Sequence, residues 1–94
     1  MALKKFIIER EIPKVGTLDR AQLREASAKS NGVLRELGTD IQWVQSYVTD
    51  NKIFCIYLAT DEGKIRTHAE MSGFPASKIT EVRKIIDPTT ERAD

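Results

Sequence analysis

The stretch IQWVQSYVTDNKIFCIYLATDE, residues 41–62, decides how this chain folds. It holds two runs dense in β-branched and aromatic residues, IQWVQSYVT and KIFCIYLA, which meet at Asp50-Asn51. A two-residue polar joint between such runs reads as a tight β-hairpin. Pairing Thr49 with Lys52 places Tyr47 opposite Phe54, Gln45 opposite Ile56 and Trp43 opposite Leu58 on one face. The other face then carries Val44, Ser46, Val48, Ile53, Cys55 and Tyr57.

Working outward, residues 3–11, LKKFIIERE, alternate as a strand, with Phe6 and Ile8 on one side and Ile7, Glu9 and Glu11 on the other. Pro13 and Gly16 break that pattern, and Thr17 can cap a helix whose first turn carries Asp19. Leu23, Ala26, Val33, Leu34 and Leu37 keep helical spacing up to Gly38, a residue suited to a helix C-terminus. Asn31-Gly32 interrupts this helix with a turn signal, and glycine in a helix interior costs about 1 kcal/mol relative to alanine.

Beyond the hairpin, Thr60 can cap a second helix with Asp61 and Glu62 in its first turn, and Gly73 followed by Pro75 stops it. Ile65, His68, Ala69 and Ser72 share one side of that helix. Residues 78–86, KITEVRKII, read as a fourth strand, and DPTTERAD as polar tail.

Strand, helix, strand, strand, helix, strand is the α+β ferredoxin-like βαββαβ order: a four-stranded antiparallel sheet with two helices on one face. One domain over residues 1–88 is expected, followed by a polar tail at 89–94. If the Cys55 face meets the helices, then Trp43, Tyr47, Phe54, Ile56 and Leu58 form an apolar set that no helix covers. Such a patch usually marks an interface, which predicts a homodimer through the open sheet face, a dimeric α/β barrel-type assembly with twofold symmetry. The opposite assignment would put Cys55 and Tyr57 on the open face.

Composition narrows the partners. The 94 residues carry 15 basic and 14 acidic side chains, a formal net charge of +1, with no Lys/Arg block to follow a phosphate backbone. No nucleic-acid partner is expected. The opening apolar run, Phe6 to Ile8, is far shorter than a signal segment or a membrane span of roughly 20 residues. No membrane partner is expected either, and the default compartment is the cytoplasm. The single cysteine, Cys55, cannot form an internal disulfide, which agrees with a reducing compartment.

The glycines are isolated, and no phosphate loop, nucleophile elbow or paired-histidine zinc motif occurs, so a binding role is expected over an enzymatic one. His68 is the only histidine, and a ring on the apolar side of a helix needs a partner. That partner could be a backbone carbonyl, a carboxylate, a substrate or a metal ion. Cys55 reads as a small buried hydrophobe or as the partner of His68 in a Cys-His pair. Glu9 and Glu11 read as surface carboxylates or as metal ligands. The candidate metal ligands are therefore His68, Glu9, Glu11 and Cys55, and the candidate cavity-lining residues Tyr47, Trp43 and Tyr57. One thiol and one imidazole per chain are too few for a compact nitrogen-and-sulfur site, so carboxylates, water or a second subunit must complete it.

The phrases IEREIPKVG, LGTDIQWVQSYVTDNKIFCIYLATDE, IRTHAEMSGFPASKITEV and IDPTTE together resemble a small bacterial nickel-binding family with a dimeric ferredoxin-like fold, long known only as a domain of unknown function. The resemblance runs from about residue 8 to residue 91. It implies a cytoplasmic homodimer that binds a nickel ion for storage, sequestration or sensing, without stating which residues hold the metal. Where the family more usually has Ala-Pro after the third strand, this chain has Leu58-Ala59-Thr60. Fold analogy offers a second reading: a cofactor-independent isomerase or monooxygenase-like dimer, in which Tyr47, His68 and Glu9 polarise a small organic substrate.

Overall fold

The turn at Asp50-Asn51 closes as the residue pattern requires: Thr49 N donates to Lys52 O over 2.8 Å, and Tyr47 pairs with Phe54. The computed structural model describes residues 2–92. Its main elements are β1 (Lys4–Glu11), α1 (Arg20–Leu37), β2 (Ile41–Val48), β3 (Lys52–Ala59), α2 (Glu62–Ser72) and β4 (Lys78–Glu81). The strands form one antiparallel sheet in the order β2-β3-β1-β4, with both helices packed as the ferredoxin-like fold demands. Phe6 and Ile8 from β1, Cys55, Tyr57 and Ala59 from β3, Ile41 from β2 and Ile65 from α2 form the core.

One face assignment is corrected. Trp43 pairs with Tyr57, not Leu58, because the register shifts between Trp43 and Gln45 and leaves Val44 as the extra residue of a β-bulge. One inserted residue exchanges faces for everything before it. Ile41 and Trp43 therefore turn toward the helices, Ile41 as core and Trp43 packed against it, while Val44 is 50% exposed. The open face keeps Tyr47, Phe54, Ile56 and Leu58 and gains Ile7, which pairs with Ile56.

The helix starts lie slightly further on than expected. Asp19, not Thr17, caps α1, in a reciprocal box in which Asp19 Oδ1 accepts from Gln22 N at 2.9 Å and Gln22 Oε1 accepts from Asp19 N at 3.0 Å. Asp61, not Thr60, caps α2 by accepting from Lys64 N at 3.1 Å. Asn31-Gly32 stays inside α1, where the helix's packing outweighs the local turn preference. Gly38 ends α1 at φ 83° and Gly73 ends α2 at φ 78°, conformations that suit glycine.

The fourth strand stops at Glu81 and not at residue 86, because its partner runs out. β1 begins at Lys4, and the last ladder contact is Val82 N to Lys5 O at 2.8 Å. Ile85 and Ile86 lie beyond it, exposed. Pro88–Glu91 form a single 3-10 turn capped by Asp87. The end of the expected tail, residues 93–94, lies outside the described residues.

Candidate functional site

Alternation along β1 sends Phe6, Ile8 and Arg10 to the same side, so a guanidinium follows two core residues inward. Arg10 is 2% exposed. Its Nε donates to Cys55 Sγ at 3.4 Å, its Nη1 to the Pro75 carbonyl at 2.8 Å and its Nη2 to the Tyr57 hydroxyl at 3.5 Å. The rings of Tyr57 and Phe74 stand 5.9 and 6.0 Å from its central carbon, at the outer limit of cation–π attraction. None of the ion pairs among the described residues includes Arg10.

Arg10 lines a cavity of about 450 Å³ between the sheet and the N-terminal half of α1. The small side chains Ala26, Ser27 and Ser30 face the sheet there, which leaves space where larger residues would meet it. The bulge adds Trp43 to the wall, its Nε1 donating to Ser46 Oγ at 2.9 Å. Of the three expected cavity residues, Trp43 and Tyr57 line this space, whereas Tyr47 lies on the opposite face of the sheet.

His68 is fully buried beside the cavity wall. Its Nε2 lies 3.0 Å from Ser30 Oγ, its Nδ1 is buried without a hydrogen-bond partner among the described residues, and its ring centroid is 5.4 Å from that of Tyr57. A buried acceptor left alone costs less than a buried N–H left alone, which places the proton on Nε2, donated to Ser30. Burial and then the nearby Arg10 charge lower the His68 pKa to about 4, with hydrogen bonding to Ser30 pushing the other way. The imidazole is therefore neutral near pH 7. Burial likewise raises the Tyr57 phenol above its ordinary value, opposed by Arg10 and Ser30.

The four candidate metal ligands do not converge within one chain. His68 and Cys55 are buried on the helix side of the sheet, Cys55 in contact with Arg10. Glu9 and Glu11 lie on the other side, Glu9 with Lys52 Nζ at 3.6 Å. Among the described residues, no group of three or more His, Cys, Asp or Glu side chains could hold a metal ion. The trio Tyr47, His68 and Glu9 is divided in the same way by the sheet. No described helix is long and apolar enough to cross a membrane.

Sequence reasoning passed over Arg10, although its signal was present: it continues the Phe6, Ile8 alternation onto the core side. Ser30 carried no comparable sign, since nothing local ties it to a histidine 38 positions later.

A family model described as nickel responsive protein SCO4226-like matches residues 6–82. The chain belongs to that family. The crystal structure of SCO4226 from Streptomyces coelicolor A3(2) superimposes with a TM-score of 0.73 at 16% identity, over 87% of this chain and 99% of that one. At that identity the likeness is one of fold. No curated protein matches the chain.

Proposed function

We propose that this protein responds to nickel by binding the divalent ion on the outer face of its sheet, as a cytoplasmic homodimer, with Glu9 and Glu11 as protein ligands. The observation that carries the reading is the division of donors by the sheet. The inner donors, His68 and Cys55, adjoin a guanidinium that has no carboxylate partner among the described residues, and a divalent cation placed there would meet like charge in a low-dielectric interior. The outer donors are anionic, and two residues apart on a strand they share a face. The pairing of Glu9 with Lys52 is a surface interaction worth about 0–1 kcal/mol and yields easily to a metal.

One chain supplies too few ligands, and a twofold axis doubles them. The apolar set on the open face supports sheet-to-sheet pairing, with Tyr47 55% exposed in the single chain. Glu9 pairs with Phe54 in the ladder, so a dimer closed over Phe54 and Ile56 draws the carboxylates of both protomers toward each other. A divalent ion relieves their repulsion. Carboxylates and water suit octahedral coordination and release their ion readily, which favours reversible sensing over storage. By the Irving–Williams order the same donors hold copper(II) more tightly than nickel, so the response follows metal availability more than site selectivity.

Calorimetric titration of chelator-stripped protein with nickel tests this. Wild type and His68→Gln bind alike, and the Glu9→Gln/Glu11→Gln double variant loses at least tenfold in affinity. Unchanged affinity in the double variant overturns the ligand assignment, and loss in His68→Gln alone moves the site to the interior.

A further inference from the structure

We propose that the cavity between α1 and the sheet is a second binding site, for a small organic monocarboxylate with a compact apolar body, its carboxylate held by Arg10. The site lies on the opposite side of the sheet from Glu9 and Glu11 and does not depend on the nickel reading.

The first observation is an unbalanced charge. A guanidinium is ionised at any ordinary pH, and one that is 2% exposed and has no carboxylate partner among the described residues is costly unless something neutralises it. Nearly all buried charges are paired, so a deep unpaired one on a cavity wall marks where an anion belongs.

The second is unused donor capacity. Arg10 has five N–H groups and makes three hydrogen bonds, one each from Nε, Nη1 and Nη2. One N–H on each terminal nitrogen remains. A guanidinium with a free N–H on each terminal nitrogen has the donor number to meet both oxygens of a carboxylate. The contacts to Pro75 and Cys55 fix the fork in place, so little side-chain entropy remains to be lost on binding.

The third is the rest of the wall. About 450 Å³ lies within the usual range for small-ligand pockets. Val15, Leu18, Leu23 and Trp43 supply apolar surface, and the hydroxyls of Ser30 and Tyr57 lie near the Arg10 end. One cation in a largely apolar wall whose other polar groups are uncharged hydroxyls fits a single negative group on a greasy body. It disfavours inorganic phosphate, which would bring more charge than Arg10 neutralises and leave the apolar wall uncovered.

The fluorescence of Trp43, the only tryptophan, reports on the cavity directly. The protein is titrated with phenylacetate, benzoate and hexanoate, then with phenylacetamide and inorganic phosphate, and the titrations are repeated on Arg10→Met and Ser27→Phe. The proposal expects saturable binding of at least one acid. It also expects affinity roughly tenfold or more weaker for the amide, for phosphate and for Ser27→Phe, which fills the cavity and leaves Arg10 in place. If Arg10→Met fails to fold, Ser27→Phe and the acid–amide comparison still decide. Absence of saturable binding by all three acids below about 10 mM overturns the proposal. So does equal binding of acid and amide, equal binding of phosphate, or wild-type affinity in Ser27→Phe.

Discussion

Ser30 Oγ lies 3.0 Å from Nε2 of His68, joining α1 to α2 through two buried side chains. The lone histidine thus has a partner inside the fold and stays neutral there. Its pKa of about 4 is below the unfolded value near 6.5, so the unfolded chain takes up the proton first as pH falls. The stabilisation is complete above pH 6.5 and is lost progressively between pH 6.5 and 4, by at most about 3–4 kcal/mol. Arg10 from β1 is the charge facing His68, with Tyr57 from β3 and Ser30 from α1 completing its surroundings. Urea unfolding of wild type and His68→Gln across that range is expected to show the steeper acid loss in wild type. Parallel pH profiles would mean that His68 titrates normally in the fold.

Gly32 is an interior position of α1 where an added Cβ would meet nothing within 4 Å. Gly32→Ala is therefore expected to stabilise the protein by about 0.5–1 kcal/mol, through helix propensity and reduced freedom of the unfolded chain. Thermal unfolding checks it, and a lowered midpoint would show that the turn signal at Asn31-Gly32 serves some packing need.

Gly16 presents the reverse case. An added Cβ would stand 2.8 Å from Thr49 O and 2.9 Å from Asp50 Cα, where the β1–α1 connection is stitched to the hairpin turn by Gly16 N to Asp50 O at 3.0 Å and Ile12 N to Asn51 O at 3.0 Å. Both obstructing atoms are backbone. Gly16→Ala is expected to cost about 1–3 kcal/mol, since the connection must shift or lose its bonds. Wild-type stability on chemical denaturation would contradict this.

How much of this was legible beforehand depends on the range over which each feature is determined. The hairpin, the inward face of α2 and the alternation of β1 are local, and residues two, three or four apart report them. Trp43 was assigned to the wrong face because a bulge at Val44 adds a residue without altering composition, and every position before it then exchanges sides. The length of β4 depends on where β1 begins, some 75 positions earlier, so no reading of residues 78–86 alone could end it at Glu81. For the site, Glu9 and Glu11 draw notice as a carboxylate pair, while the buried Arg10 between them is passed over. The cavity arises from small residues on α1 facing a bulge on β2, a relationship that becomes visible only once the layers are stacked.

Phe54 and Ile56 lie at the centre of the proposed dimer face and do not belong to the buried core of the chain. Replacing Ile56 with lysine is expected to weaken self-association by at least tenfold at a modest cost to the fold, because the charge would be desolvated only in the dimer. Sedimentation equilibrium measures this, and an unchanged dissociation constant would remove that face from the interface.

Nickel(II) is paramagnetic, so adding it in substoichiometric amounts to uniformly 15N-labelled protein broadens the amide signals nearest the ion. Loss of the Glu9, Glu11, Lys52 and Phe54 signals first, with those of Ser30, Tyr57 and His68 persisting, is the result expected for a metal on the outer sheet face. Early loss around His68 and Cys55, with Glu9 and Glu11 unaffected, would contradict it and place the ion in the interior beside Arg10.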